Sequence, residues 1–118
     1  MHRRAYLDLS CLFELFMKNL EDFGVKEKIC VLPMSLLKAA EKFAPESVDL
    51  IFLNADRDYD SVKAHLLQWY PKLKPGGFLL CDDYEPEQPG VMRAIKSVGL
   101  EGLVVAPSLW CHRKSIKV

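Results

Sequence analysis

Apolar residues along this chain follow two different periods, and the switches between them mark the elements. Leu12, Phe13, Phe16, Met17, Leu20 and Phe23 recur at helical spacing behind Ser10, which suits an N-cap, and Gly24 suits the position after the last turn. The spacing predicts a helix over residues 10–23 with one broad apolar face. Residues 28–33, KICVLP, are short, apolar and partly β-branched, and predict a buried strand. Ser35 then caps a second helix carrying Leu36, Leu37, Ala39, Ala40 and Phe43, which Pro45 stops. Residues 48–53 are apolar on both faces apart from Asp49, as in a parallel strand covered by helices on both sides.

Val62, Leu66, Trp69 and Leu73 form one stripe and predict a third helix over about residues 58–73. Pro75-Gly76-Gly77 turns the chain into a strand over 78–81. Residues 90–98 read as a fourth helix ended by Gly99. Two short strands follow, near 102–106 and 109–113, joined by Pro107-Ser108 closely enough for an antiparallel pair. Strands alternating with helices predict an α/β fold. The expected sheet is mostly parallel with an antiparallel C-terminal strand pair and helices on both faces, in a single domain over 1–118.

Composition changes this picture little. At 118 residues the chain can form one domain with a modest core. Lysine plus arginine equals aspartate plus glutamate at 16 each, so no global field draws it to nucleic acid or an anionic membrane. The basic tail of His112, Arg113, Lys114 and Lys117 reads as a solvated end. Four cysteines, Cys11, Cys30, Cys81 and Cys111, show no CxxC spacing. Cys30 and Cys81 lie in apolar runs, where a thiol acts as a small hydrophobe. This points away from zinc and disulfides and toward a reducing, cytoplasmic setting. No apolar run reaches the ~18 residues of a membrane span, and Asp8 and Glu14 interrupt any signal-like core after the basic first residues.

Candidate chemistry gathers where the predicted strands end. Asn54, Ala55, Asp56, Arg57, Asp58 and Tyr59 follow directly on an apolar strand. A strand-to-helix turn needs such residues anyway, with Asp58 or Asp60 as N-cap. Asp82-Asp83 ends the next strand, and two adjacent carboxylates repel unless a cation, backbone amides or water serve them. With Asn54 alongside, three oxygen ligands would converge, a set suited to Mg²⁺. Acidic and amide groups at the carboxyl ends of adjacent parallel strands mark the ligand edge of an open α/β sheet. Pro75-Gly76-Gly77 precedes a strand rather than a helix and so is not a phosphate loop. His65 and His112 show no acid or nucleophile at suggestive spacing, and Trp69 and Trp110 read as core.

The stretch IFLNADRDYDSVKAHLLQWYPKLKPGGFLLCDDY resembles class I S-adenosylmethionine-dependent methyltransferases of the bacterial O-methyltransferase type. PGVMRAIKSV resembles the next helix of that family, SLWCHRK its final strand, and VLPMSLLKAAEKF its third strand and following helix. The resemblance covers about residues 12–114. It implies that Met34 and Ser35 flank the donor's adenine, and that Asn54 and Asp56 lie beside donor and acceptor. In cation-dependent members an aspartate at the Asn54 position joins those matching Asp82 and Asp83 as metal ligands. Arg57 stands where the catechol type has a lysine near the acceptor hydroxyl. The implied catalytic residues are thus Asp82, which positions the acceptor, and Arg57, which stabilises charge. S-adenosylmethionine is the implied donor, and a small hydroxylated molecule the acceptor.

Two positions depart from the family pattern, Asn54 for an acid and Arg57 for lysine or histidine. A larger departure is the absent Gly-x-Gly loop, since Gly24 is the first glycine and Gly76 the next. With its usual neighbour missing, the 28–33 strand has to pair beside residues 48–53, leave the sheet, or pair with another copy in a homodimer through the open edge. The readings are a methyltransferase, a non-catalytic truncated relative that binds or oligomerises, and, on a weaker footing, a flavodoxin-like or receiver-like domain.

Overall fold

The computed structural model describes residues 9–54 and 56–116, with side chains from residue 14 onward. The chain divides into two compact units, the first ending at Met34 and the second beginning at Ser35. In the first unit, helix α1 spans Leu9–Asp22. It begins one residue before the expected cap, Ser10, and what precedes it lies outside the described residues. Gly24 takes φ +70° after the last turn, a left-handed position that glycine fills without a Cβ clash. Lys26 and Glu21 form an exposed ion pair of 2.6 Å.

The predicted strand over 28–33 is absent. A short 3₁₀ turn covers Lys26–Lys28, and residues 29–33 carry no regular structure. Ile29 is 44% exposed, and Cys30 is exposed rather than a core thiol. An apolar run becomes a strand only where another strand completes its hydrogen bonds. Within this chain the segment does not join the sheet.

The second unit holds the sheet. Its elements are α2 (Leu36–Ala40), β1 (Val48–Leu53), α3 (Tyr59–Trp69), β2 (Leu73–Cys81), α4 (Pro89–Ser97), β3 (Leu103–Ala106) and β4 (Leu109–Arg113). Strand order is β1-β2-β4-β3. β1 and β2 are parallel, whereas β4 runs antiparallel to both β2 and β3. The C-terminal antiparallel pair is as expected. The parallel share reduces to one pairing because the 28–33 segment is outside the sheet. β1 therefore forms one edge.

Local chemistry explains the boundaries. Ser35 accepts a hydrogen bond from the Lys38 amide and starts α2. Asp58 does the same for α3 through the Ser61 amide at 3.1 Å, which holds its carboxyl below the ordinary carboxylate range. Pro75-Gly76-Gly77 is not a separate turn but an irregularity inside β2, where the pairing jumps from Val48–Leu73 to Leu50–Phe78. A Cβ at Gly77 would come within 2.7 Å of the Leu73 side chain and 2.8 Å of the Asp49 carbonyl oxygen. Only glycine allows that approach.

Val62, Leu66 and Trp69 of α3 and Val91, Ala94 and Ile95 of α4 are buried with Ile51, Leu79, Cys81 and Trp110 of the sheet. The stripe predicted for α3 holds for Val62, Leu66 and Trp69, but the helix ends at Trp69, and Leu73, though 0% exposed, is the first residue of β2. On the opposite face Leu50, Phe52, Phe78 and Leu103 are 53%, 51%, 42% and 76% exposed. No helix among the described residues is long and apolar enough to cross a membrane.

Candidate active site

Parallel β1 and β2 end side by side. Leu53 pairs with Cys81, and the Asp82 amide continues the ladder by donating to the Leu53 carbonyl at 3.2 Å. The residues that follow each strand therefore emerge together, as the sheet rule requires. Asn54, Asp56, Asp82 and Asp83 line one small cleft with Leu53, Val62, His65, Cys81 and Val91. Its lining mixes apolar side chains with polar and acidic ones.

The two aspartates are held from opposite sides. The Arg57 Nε donates to Asp83 Oδ2 at 3.1 Å. The Ser108 hydroxyl, in the β3–β4 turn, donates to Asp82 Oδ1 at 3.4 Å. The same turn accepts the Tyr84 amide through the Ser108 carbonyl at 2.9 Å, which ties the hairpin to the end of β2. Asp83 takes φ +58° and Ser108 φ +57°, left-handed values that cost a residue other than glycine some energy. On its far side the β1–α3 turn meets Gly90 in the first turn of α4. A Cβ there would overlap the Arg57 carbonyl oxygen and lie 2.9 Å from the Tyr59 nitrogen. Gly90 thus lets α4 seat directly against the turn that carries Arg57.

Burial pushes the Cys81 thiol up to about 12, so this wall of the cleft stays uncharged and poorly nucleophilic. His65 also lines the cleft, although sequence spacing gave it no role. It follows Val62 by three positions on α3, so its imidazole shares the side of the helix that reaches the cleft. That offset was the available signal. Ser35 spends its hydroxyl on capping α2 and is not among the cleft-lining residues. Met34 belongs to the first unit and is 39% exposed.

The expected Mg²⁺ ligands Asn54, Asp82 and Asp83 share the cleft but do not suit a divalent ion. Asp83 is already paired with a guanidinium, whose fixed positive charge would repel an arriving cation. Asn54 brings an amide where a carboxylate would add charge. Among the described residues no group of three or more histidine, cysteine, aspartate or glutamate side chains could hold a metal ion.

Residues 3–84 match the model of a family described as a methyltransferase domain. The chain belongs to that family. The match ends at Tyr84, directly after the acidic pair that closes the cleft. Among solved structures, a protein from Corynebacterium glutamicum aligns with a TM-score of 0.72 at 16% identity, covering 92% of this chain and 58% of that one. A SAM-dependent O-methyltransferase from Thermotoga maritima aligns at 0.63 and 16% identity, over 97% of this chain and 50% of its own. An O-methyltransferase family protein from Burkholderia thailandensis aligns at 0.67 and 15% identity, over 90% of this chain and 42% of its own. At these identities the likeness concerns the fold. The chain spans about half the length of these structures. No curated protein sequence matches it.

Proposed function

We propose that the cleft at the carboxyl ends of β1 and β2 is the acceptor side of a methyl-transfer site, with S-adenosylmethionine as donor and a hydroxyl oxygen of a small molecule as acceptor. The observation that carries this reading is the convergence of Asn54, Asp56, Asp82 and Asp83 in one cleft of a methyltransferase-family chain. The donor set fits the cationic end of a sulfonium compound. Three carboxylates line the cleft, and Arg57 offsets the charge of one of them. Among the described residues no glycine-rich turn leads from a strand into a helix, so the adenosine end has no matching cradle here.

When bound, the donor supplies a methyl group on a cationic sulfur for in-line transfer to oxygen. This chain's contribution is alignment and control of the acceptor's proton. We assign Asp82 to accept the hydrogen bond, and then the proton, of the acceptor hydroxyl, with Ser108 orienting the carboxylate. We assign Asn54 and Asp56 to the donor side of the cleft and Arg57 to hold Asp83. His65 supplies a second group able to take a proton at the same cleft. Calorimetry with S-adenosylmethionine tests the reading. We expect saturable heat that weakens about tenfold in Asp56→Asn, as for loss of one charge in contact. Absence of saturable binding to the chain would overturn the assignment.

We also propose that two copies pair along β1. The support is the position of β1 at the sheet edge and the exposure of Leu50 and Phe52 beside it. Sedimentation should show concentration-dependent association that Phe52→Lys weakens, and a monomer at every concentration would sink this part.

A further inference from the structure

We propose that the Arg57 guanidinium is the resident cation of the Asp82–Asp83 pair, doing at this cleft what a divalent ion does at an open pair of carboxylates. Two adjacent aspartates at the end of a buried strand need positive charge or donors close by. Here both arrive from the chain itself. Arg57 reaches Asp83 at 3.1 Å across 26 residues of sequence, and Ser108 reaches Asp82 at 3.4 Å.

Three features make Arg57 a fixture of the site rather than a passing surface partner. Asp83 is only 21% exposed in its side chain, so the contact is partly shielded from water, although Arg57 itself is 61% exposed. The Arg57 backbone is braced by Gly90, whose missing side chain lets α4 press against the turn. Asp83 holds a left-handed backbone conformation, and its carboxylate meets the guanidinium from there.

The consequence is chemical. A bound divalent ion offers open coordination positions to which two neighbouring hydroxyls can bind at once. A guanidinium offers only N–H donors in a plane. A cleft served by Arg57 therefore gives a vicinal diol no chelating advantage over a single hydroxyl, and suits an acceptor that presents one oxygen. This statement about acceptors rests on the methyl-transfer reading above. The replacement of a metal by Arg57 does not, and it is tested without donor or acceptor.

Mn²⁺ alone is the probe, followed by calorimetry and by the loss of its free-ion paramagnetic resonance signal. Wild type, Arg57→Lys, Arg57→Ala, Arg57→Gln, Asp82→Ala and Arg57→Ala/Asp82→Ala are compared after thermal denaturation shows each to be folded. Removing the guanidinium should raise Mn²⁺ affinity at least about tenfold in Arg57→Ala, since a like charge is lost beside two carboxylates. The gain should vanish in the double variant, and Arg57→Lys should behave as wild type. Arg57→Gln preserves hydrogen bonding without charge and should gain affinity as Arg57→Ala does, which decides the matter if the alanine variant fails to fold. Equal Mn²⁺ affinity in wild type and both neutral variants would overturn the proposal. So would tight binding by wild type that Asp82→Ala abolishes. Loss of S-adenosylmethionine binding would defeat the proposed function and leave the metal result standing.

Discussion

The two faces of the sheet are built from the same strands and similar residues, yet they live in different environments. Ile51, Leu79, Cys81 and Trp110 lie under α3 and α4 and are at most 6% exposed. Their immediate neighbours Leu50, Phe52 and Phe78 point the other way and are about half exposed. Hydropathy does not distinguish the two sets, because a strand apolar on both sides reads as one continuous run. Within the second unit, what separates them is that α3 and α4 pack on one side, a property of that unit rather than of the strand. The cleft is lined on the covered side by Val62 and Val91 from the two helices. Order at the site therefore follows from that packing.

The sharpest way to break this contrast is to truncate one large apolar side chain on each face. Leu79 is 0% exposed, and Leu79→Ala should cost roughly 2–5 kcal/mol of unfolding free energy. Phe78→Ala, at the adjacent position but 42% exposed and touched by Arg113 on its ring face, should cost about 1 kcal/mol. Denaturant titration of both variants checks the difference, and similar losses would mean that the open face is covered in solution.

Gly90 tests the link between the covered face and the site. Gly90→Ala puts a Cβ into the Arg57 carbonyl and should cost about 1–3 kcal/mol as α4 backs away. The same shift should loosen Arg57 from Asp83, seen as a raised apparent Mn²⁺ affinity approaching that of Arg57→Ala. A stable variant with wild-type Mn²⁺ behaviour would show that α4 does not brace the turn.

Much of this architecture was legible along the chain. Ser35 and Asp58 announce their helices because caps act within three residues, and Pro107-Ser108 announces the hairpin for the same reason. The acidic ends of β1 and β2 were legible because a strand that turns polar marks its own exit from the core. Features that depend on distant partners were not. The Arg57–Asp83 pair joins two turns 26 residues apart. The fit of Gly90 against Arg57 involves an element that follows the whole of β2. Residues 28–33 have the composition of a strand, but strand formation requires a neighbour, and no composition supplies one. Leu50 and Phe52 were expected to be buried because their strand looks two-sided, and their exposure depends on helices that their own sequence cannot specify.

Cysteines offer a gentler probe of the same two faces. Cys81 lies on the covered side with its thiol pushed up to about 12, while Cys111, paired with Leu80 on the open side, is half-buried. At pH 8 only about one Cys81 thiol in ten thousand would be ionised, and it lies out of reach as well. Under native conditions a thiol reagent should therefore modify the peptide containing Cys111 well before that containing Cys81, as read by mass mapping. Comparable rates at both would mean that α3 and α4 open readily.

The smallest expected effect lies at the start of α3. The Asp58 carboxyl is held below its ordinary value by hydrogen bonding to Ser61, first through the side chain and then the backbone. A depressed folded-state pKa stabilises the protein above the unfolded value, and that contribution is lost as pH falls through the lowered one. Acidification from neutral pH should leave this cap intact until below the usual aspartate range. Asp58→Asn keeps a capping oxygen but carries no charge. The difference in melting temperature between wild type and Asp58→Asn should shrink as the pH drops below about 4, the ordinary carboxylate region. The site adds a reason to look there: Asp58 follows directly on Arg57, so a frayed first turn of α3 would free the guanidinium. Mn²⁺ affinity that rises in Asp58→Ala but not in Asp58→Asn would connect the cap to the site, and no change in either would confine its role to the helix.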